Sequence, residues 1–384
     1  MKKFFKILIL IILSCFCLYP LGIASEKKIK IGLLVPLTGN DKEIGQQIIK
    51  STRMALKDIN SKNLEIYPKD TGSDPNKTIK SAIELKKIGI NIVIGPVFHK
   101  NLNYLDEVQD IIFVSLTNKT LNLPNNVISG GINATSQLNT IKKFIKLNKI
   151  KKTIILTPRL DYEDEIKKAI SQSKIKIYKQ YIYDTEPTKL TAQIEKITNY
   201  KIRKQNLDDE IKRVEGSDLP DKEKQLKKLE KRYTIGKVNF DAVIISDFNE
   251  SLKSVITSLL YADVSPKQKN IITFNQWFDQ SVLNEKNIQP IYYPSINNKN
   301  LKNFKKKFSN KFNENPSHLS LLSYDLVGLI YYLSISNDLT DLSRLFKKKN
   351  SFKGKIGIFD IEDNKINHRL NFYKIDDGKI KKIF

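Results

Sequence analysis

Residues 28–39 read KIKIGLLVPLTG, and this stretch decides the fold class. The apolar run from Ile29 to Val35 lacks clean polar alternation after Gly32, which is typical of strands that are covered on both faces. The turn at residues 36–39 leads into residues 43–60, where apolar side chains recur at helical spacing. A buried strand, a turn and an amphipathic helix in this order predict a parallel α/β sheet. In such sheets ligands sit at the carboxyl ends of the strands.

An export signal precedes this strand. Three lysines among the first six residues are followed by an apolar stretch and by the small residues Gly22 and Ala24. This pattern predicts a Sec signal peptide over residues 1–24, cleaved before Ser25 and too short to span a membrane. No later stretch approaches the hydropathy of a membrane span. The sequence therefore predicts an exported, periplasmic protein.

Cys15 offers an alternative processing route, lipidation of the mature amino terminus. Leu13 stands where lipoprotein signals prefer a small residue, and Phe16 follows the cysteine, so the motif is a poor one. Cleavage after Ala24 would remove Cys15 and Cys17, the two cysteines of the chain. The mature protein is then predicted to have neither a disulfide nor thiolate chemistry.

The chain is strongly basic, with 66 Lys and Arg against 41 Asp and Glu and a formal net charge of +25. Nearly all of the basic residues are lysines, which lack the planar fork with which arginine recognises bases and phosphates. We therefore expect no nucleic-acid partner. The lysines are expected on solvated faces, and attraction to an anionic surface or polymer of the envelope remains the alternative.

Strands and helices alternate along the chain after the first unit. Apolar strand patterns at residues 91–97 and 111–116 complete a first series, and a second series runs from a helix at 134–148 to a strand at 271–274. This alternation predicts βαβ units and parallel sheets. Two series predict two doubly wound lobes, which a mature chain of about 360 residues is long enough to form.

Two segments depart from this pattern. Residues 200–235 are charge-dense with few apolar positions, and they are predicted to form a helical hairpin, broken near residues 216–220, that is inserted in the second lobe. The insert is either a solvated protrusion or an arm that docks a partner. Near the carboxyl terminus, residues 355–361 and 369–375 are predicted to form an antiparallel pair of strands.

No motif for catalysis, or for binding a cofactor or a metal, is found in the sequence. The three histidines, at positions 99, 318 and 368, are isolated and show no zinc-ligand spacing. The sequence lacks a nucleophile elbow, a Walker A loop and a dinucleotide-binding glycine motif. Asp161, Asp164 and Glu165 cluster at a predicted helix start, where the helix dipole favours acids anyway. We therefore expect no enzyme, no cofactor and no metal.

Polar residues at the predicted strand ends form the candidate ligand cleft. The carboxyl ends of the strands are expected to face a cleft between the two lobes, so these side chains should converge. Singly, each could be a helix cap or a turn residue, and Ser115, Asn118 and Asn249 fit that role best. The candidates are Thr38, Gly39, His99, Lys100, Ser115, Thr117, Asn118, Asp161, Tyr162, Asp247, Asn249, Asn275 and Trp277.

The order of elements resembles the type I periplasmic binding proteins, the Leu/Ile/Val-binding superfamily. The resemblance implies two lobes joined by three crossovers, with a hinge and closure around a small ligand. On this basis the first lobe is assigned to residues 28–131 plus 291–350, and the second to residues 132–290 plus 355–384. The motifs that carry it are KIGLLVPLTG (30–39), NIVIGPV (91–97), IIFVSLTN (111–118), DAVIISDFNES (241–251) and SYDLVGLIYYL (323–333).

Further motifs resemble the penicillin-binding-protein activator branch of this superfamily. They are IYPKDTGSDP (66–75), IGPVFHKNLNYL (94–105) and the closing stretch 354–380. This resemblance implies a non-catalytic regulator of peptidoglycan synthesis, whose partner is an envelope protein such as a peptidoglycan synthase. The wider superfamily implies an alternative, the substrate-binding protein of an amino-acid ABC transporter, with an ABC permease as partner and a small-molecule ligand.

Positions that hold an amino acid in the superfamily differ in this chain. Amino-acid binders place a hydroxyl and an alanine-threonine pair in the loops after the third and fourth strands, whereas residues 99–100 here are His-Lys and residues 116–118 are Leu-Thr-Asn. The tyrosine of the second-lobe helix start is present as Tyr162, and the acid that meets a ligand ammonium is Asp247 or Glu250. The resemblance thus implies a cleft whose carboxylate-binding side is altered.

Overall fold

The computed structural model describes residues 28–274, 281–336, 345–355 and 357–384. The expected signal peptide, Cys15 and the cleft candidates Asn275 and Trp277 lie outside the described residues. Parallel sheets flanked by helices form the greater part of the fold, so the predicted α/β class with doubly wound sheets is confirmed.

Most strands and helices follow one another in the order that the sequence pattern predicts, but the strands at residues 127–129, 291–295, 350–353 and 379–382 were not predicted. The strands are β1 (Ile29–Val35), β2 (Leu64–Asp70), β3 (Ile92–Ile94), β4 (Ile112–Ser115), β5 (Val127–Ser129), β6 (Thr153–Pro158), β7 (Lys179–Tyr183), β8 (Ala242–Ile245), β9 (Asn270–Thr273), β10 (Ile291–Ser295), β11 (Asn350–Lys353), β12 (Ile358–Glu362), β13 (Lys365–Arg369), β14 (Asn371–Asp376) and β15 (Lys379–Lys382). The helices are α1 (Lys42–Ile59), α2 (Pro75–Lys87), α3 (Ala134–Leu147), α4 (Glu163–Ser173), α5 (Pro187–Thr198), α6 (Tyr200–Glu215), α7 (Lys222–Leu229), α8 (Asn249–Tyr261), α9 (Ser281–Asn284), α10 (Asn298–Phe312) and α11 (His318–Ser336).

The first sheet grows from the opening strand-turn-helix unit. Its strands run parallel in the order β2-β1-β3-β4-β5. β1 is buried on both faces: Leu33 and Val35 lie in a core shared with α1, α10 and α11, and Leu34 packs with Val93 and Phe113 on the other face. The unbroken apolar run of β1 follows from this double coverage.

The second sheet has the order β15-β14-β10-β9-β8-β6-β7. Strands β6 to β10 are parallel, and β14 and β15 add in antiparallel orientation at one edge. Helices α3 and α4 cover one face around Phe144 and Ile166, whereas α5 and α8 cover the other face around Ile194 and Leu252. The carboxyl ends of β6 and β8 present Tyr162 and Asp247.

The predicted pairing of residues 355–361 with 369–375 is wrong. β12 pairs instead with β13, and β13 starts three residues after β12 ends. Asp363 and Asn364 both have positive φ angles, of 51° and 58°, which is the backbone of a tight two-residue hairpin turn. β14 then leaves this small sheet and pairs with β10 and β15.

The lobe boundaries differ from the sequence assignment at two places. Residues 291–295 form β10 inside the second sheet, although they were assigned to the first lobe. Residues 358–369 were assigned to the second lobe, yet Phe359, Ile361 and Ile366 lie in the core of the first sheet. Their alternating apolar side chains belong to the same core cluster as the apolar side chains of α11, so packing decides the boundary.

Three crossovers between the lobes, which follow β5, β10 and β13 in the chain, lie side by side. The buried His368 has its Nε2 2.9 Å from the Gly130 carbonyl oxygen, so the third crossover contacts the first. The Tyr373 hydroxyl donates to the Ile296 carbonyl at 3.0 Å, which joins the third crossover to the second. A Cβ at Gly131 would lie 2.5 Å from the Thr117 carbonyl oxygen, so the first crossover requires glycine there.

The charged segment forms two helices, α6 and α7, that pack on each other around Leu207, Val214 and Leu229. The base of this insert is anchored by Arg203, which is 6% exposed. Its guanidinium donates to the Ala262 carbonyl at 3.0 Å and to the Thr234 hydroxyl at 2.6 Å. Arg203 therefore fixes the base of the insert to the second lobe. In the sequence, Arg203 looks like any other basic residue of this charged segment.

Helix α11 is, by length and composition, the one candidate for a membrane span in the described residues, with a mean hydropathy of 1.3 over His318–Ile335. The expectation that no stretch after the leader approaches a span was therefore wrong for this helix. Two-thirds of the helix (67%) is buried inside the fold, where Leu326 and Ile330 join the core of the first sheet. Burial in this core explains its apolar character.

Candidate functional site

The first-lobe rim of the cleft is organised by Asp70, the last residue of β2. Its carboxylate accepts hydrogen bonds from the Leu37 N–H at 2.7 Å, the Thr38 hydroxyl at 2.6 Å and the Lys77 ammonium at 2.5 Å. Burial raises the pKa of Asp70, but these hydrogen bonds and one from Gly72 outweigh it and hold the pKa well below its usual range. The Thr38 side chain is thus engaged within its own lobe.

The loop after β4 is held by its own hydrogen bonds. The Ser115 hydroxyl donates to the Pro96 carbonyl at 2.7 Å, and the Thr117 hydroxyl accepts from the Lys119 N–H at 3.2 Å. Both side chains are buried. Ser115 and Thr117 therefore shape the loop, and the next residue, Asn118, is exposed at its tip.

The same loop crosses to the second lobe and binds Glu165 of α4. The Glu165 carboxylate accepts hydrogen bonds from the Thr120 N–H at 2.8 Å, from the Thr120 hydroxyl and from the Leu121 N–H at 3.0 Å. Lys168, one turn further along α4, donates to the Thr120 carbonyl at 2.8 Å. Glu165 is 8% exposed, so this carboxylate is buried between the lobes with its charge-assisted hydrogen bonds made.

A second interlobe contact lies beside it at the surface. The Lys119 ammonium is 2.9 Å from the Asp161 carboxylate, and it lowers the pKa of Asp161. The Asp161 side chain is 78% exposed, so solvent screens this ion pair and it adds little to closure. We call the contacts of residues 119–121 with Asp161, Glu165 and Lys168 the interlobe latch.

The second-lobe side of the cleft is built around Asp247, at the end of β8. Its carboxylate accepts hydrogen bonds from the Tyr183 hydroxyl and from the Phe248 N–H, the latter at 2.8 Å. Burial raises the pKa of Asp247, and these hydrogen bonds offset it only in part. Burial, with the nearby Asp247 charge, also raises the pKa of Tyr162 and of Tyr183. Tyr162 donates to the Ser246 carbonyl at 3.3 Å, next to this group.

The remaining candidates sit at the margin of these groups. His99 is half-buried, with its Nε2 3.5 Å from the Leu121 carbonyl oxygen, whereas Lys100 is exposed. Gly39 is an exposed turn residue with a φ angle of 78°, and Asn249 is the exposed first residue of α8, with a φ angle of 50°. The strand ends thus bring together Thr38 with Asp70, His99 with residues 119–121, and Tyr162 with Asp247.

Sequence reasoning missed Asp70, Thr120, Glu165 and Tyr183. Asp70 and Tyr183 end their strands, so the rule used for the other candidates would have found both. Glu165 was assigned to the helix dipole because it stands in the first turn of α4. Only its burial and its contacts with a loop 44 residues earlier distinguish it from the exposed Asp164.

In the part of the chain that the structure describes, no group of three or more His, Cys, Asp or Glu side chains could hold a metal ion. The carboxylates at 70, 165 and 247 each accept several hydrogen bonds, from backbone N–H groups and hydroxyls and, at Asp70, also from the Lys77 ammonium.

Comparison with known proteins identifies a matching family and similar solved structures. A family model described as periplasmic binding protein matches residues 28–379. The C-domain of LpoA (YraM) from Haemophilus influenzae, described as a regulator of PBP1A, is similar with a TM-score of 0.65 and 14% identity, over 93% of this chain and 100% of that one. A search of curated proteins found no match.

Amino-acid-binding proteins share the fold as well. LivJ from Streptococcus pneumoniae, a branched-chain amino acid transporter substrate binding protein in complex with isoleucine, gives a TM-score of 0.54 at 18% identity, over 92% of this chain and 98% of that one. The leucine binding protein LivK from Thermotoga maritima gives 0.55 at 14% identity, over 93% and 98%.

Proposed function

The chain belongs to the periplasmic binding protein family, and on that premise we propose that it is an exported, non-catalytic module that regulates peptidoglycan synthesis, as penicillin-binding-protein activators do. Its partner would be a peptidoglycan synthase of the envelope. The proposal concerns protein contact and requires no small ligand in the cleft.

The observation that carries this proposal is the hydrogen bonding of Glu165. The loop that should receive a ligand carboxylate gives two N–H groups and one hydroxyl to this carboxylate of the chain itself. A ligand would have to expel Glu165 from buried donors, and each charged hydrogen bond lost is worth about 1.5–3 kcal/mol. We therefore infer that Glu165, a carboxylate of the chain itself, uses donors of this loop that a ligand carboxylate would otherwise need.

Contacts in the second lobe also support a regulator that needs no small ligand. Asp247, a candidate partner for a ligand ammonium, already accepts hydrogen bonds from Tyr183 and the Phe248 N–H. The similarity to the LpoA C-domain, described as a regulator of PBP1A, agrees with a regulatory role.

The second candidate function is that of a substrate-binding protein for an amino-acid ABC transporter. One observation favours it: Tyr162 and Asp247 lie together at the second-lobe strand ends, as the resemblance to amino-acid binders implies. The partner would then be an ABC permease and the ligand an amino acid, as isoleucine is for LivJ.

A thermal-shift screen of the mature protein with the twenty amino acids separates the two candidates. A ligand at ~100 times its dissociation constant stabilises the native state by about 2.7 kcal/mol, which raises the melting temperature by several degrees. We expect no such rise. A rise with one amino acid that disappears in Asp247→Asn would reject the regulator and establish the transporter component.

A synthase assay tests the regulator directly. The mature protein is added to the purified class A peptidoglycan synthase of the same organism, and the rate of glycan polymerisation from lipid II is measured. We expect a rise of about twofold or more at saturation, and a heat-denatured sample serves as the control. An unchanged rate, with no binding of the two proteins, would reject the proposal.

A further inference from the structure

We propose that the open edge of the second sheet, at β7, binds an extended acidic peptide segment of a partner protein, which adds to the sheet as a further strand. This surface is on the outer edge of the second lobe, and the inference does not depend on the function proposed for the cleft. It rests on the backbone of β7, on a groove beside it and on the charge of both.

The backbone of β7 leaves hydrogen-bonding groups unused at its outer side. β7 is the last strand of the sheet, and in the described residues it pairs with β6 alone. The Tyr183 carbonyl accepts from the Arg159 N–H at 2.9 Å on the β6 side. Because successive residues of a strand point to opposite sides, the N–H and C=O groups of Gln180 and Ile182 point away from β6. They can pair with an added strand.

The two edges of this sheet are unlike. β15, at the other end, carries three lysines in four residues, and such charge protects an edge from pairing. β7 carries one lysine in five residues, and Ile182 is 40% exposed on it. Tyr178, directly before β7, is 44% exposed. The β7 edge is therefore open to a partner strand where the β15 edge is not.

A groove of about 430 Å³ lies beside this edge, between β7 and α5. This volume is within the range of ~300–1,000 Å³ that is usual for binding pockets. Its floor includes Tyr181, Ile197 and Phe240. Side chains of an added strand alternate between its two faces, so every second one would reach the groove. Large apolar side chains at those positions fit its lining.

The charge around the groove selects an acidic partner. Lys179 and Lys196 line it, and no carboxylate side chain is among its lining residues. The ammonium groups of Lys152 and Lys179 lie 5.2 and 5.8 Å from the centre of the Tyr178 ring. Within the described residues none of these three lysines forms an ion pair with a carboxylate. A second copy of β7 would bring lysines against lysines, so charge disfavours self-pairing.

The test selects peptides from a random twelve-residue phage library on the full mature chain. We expect sequences in which acidic residues alternate with large apolar ones. A synthetic peptide of the selected sequence is then measured by fluorescence anisotropy. Lys179→Glu combined with Lys196→Glu should weaken its binding by about tenfold or more. The control, Lys302→Glu combined with Lys306→Glu on the exposed side of α10, makes the same change in net charge and should leave affinity within about twofold.

Hydrogen exchange with the bound peptide tests the strand geometry. The amides of Gln180 and Ile182 should exchange at least about tenfold more slowly. Ile182→Pro removes one outward N–H at an edge, where proline is tolerated, and should abolish binding while the melting temperature shows that the lobe is folded. If that variant does not fold, the exchange data for the wild-type chain decide alone.

Several outcomes would overturn the inference. The first is that the library yields no binding peptide, or only peptides without acidic residues. The second is that the control variant with Lys302→Glu and Lys306→Glu loses as much affinity as the variant at Lys179 and Lys196. The third is that the peptide binds but does not slow exchange at residues 180 and 182. A dimer seen by light scattering that becomes a monomer in Ile182→Pro would show instead that the edge pairs with a second copy.

Discussion

Replacing Glu165 by alanine should open the cleft by releasing the interlobe latch. The wild-type carboxylate accepts three hydrogen bonds from Thr120 and Leu121, and a hydrogen bond to a charged group contributes about 1.5–3 kcal/mol. In the open form, water replaces part of the free energy of these three hydrogen bonds, so we expect the free-energy difference between the closed and open forms to fall by about 2–4 kcal/mol. At 1.4 kcal/mol per factor of ten, the ratio of closed to open molecules should fall roughly 30- to 700-fold.

Two measurements detect this shift from closed to open molecules. Hydrogen exchange at the amides of Thr120 and Leu121 should accelerate by a similar factor, and the radius of gyration from small-angle scattering should increase. Asp164→Ala is the matched control, because Asp164 is the neighbouring acid and its side chain is 79% exposed. Glu165→Gln keeps one acceptor oxygen and should give an intermediate effect. Equal exchange and equal scattering in Glu165→Ala and Asp164→Ala would refute the role of the latch.

Three further predictions concern processing, the insert and His368, which lies at the crossovers. The mature protein should begin at Ser25 without lipid, and a diacylglyceryl mass on Cys15 in the intact envelope-extracted protein would contradict this. Replacing residues 205–232 by a short Gly-Ser linker should leave both lobes folded, because the two ends of the insert are already close: the Ile235 nitrogen lies 2.9 Å from the Arg203 carbonyl oxygen. Arg203→Ala, by contrast, should lower the melting temperature by several degrees, because it removes the buried hydrogen bonds to Ala262 and Thr234. Burial lowers the pKa of His368 to about 4, so the unfolded chain binds the proton first and stability is lost as the pH falls from 6.5 towards 4. Between pH 7.5 and 4.5 the wild type should lose about 2–3 kcal/mol more than His368→Gln in chemical denaturation, and equal losses would show that His368 does not titrate in this way.

Much of the fold could be predicted because strands and helices leave local patterns of apolar residues in the sequence. The continuous apolar run of β1 follows from coverage on both faces, and the spacing in α1 follows from its single buried face. The turn at Asp363 and Asn364 could be predicted from its residue types, but the strand after it was placed at residues 369–375 and in fact begins at Lys365. The alternation of residues 355–361 fits more than one partner strand, and the backbone of the turn selects the nearest one.

For the candidate cleft, the sequence predicted positions but not hydrogen-bond partners. The strand-end rule selected Thr38, Tyr162 and Asp247, because parallel strands bring their carboxyl ends to one edge whatever the side chains are. It could not say with what these residues bond. Thr38 binds Asp70, and Asp247 accepts from Tyr183, through contacts between segments 32 and 64 residues apart.

By itself, the sequence determined the α/β class, the order of the elements and the edge at which the polar residues collect, since each of these depends on periodicity and on short-range backbone preference. The tertiary structure alone decided that Glu165 meets the loop of residues 119–121, that Arg203 anchors the insert, and that β7 is left as an open edge. These features depend on which distant segments become neighbours. A glutamate in the first turn of a helix has the same local pattern whether it faces solvent or the N–H groups of another lobe, and only packing distinguishes the two.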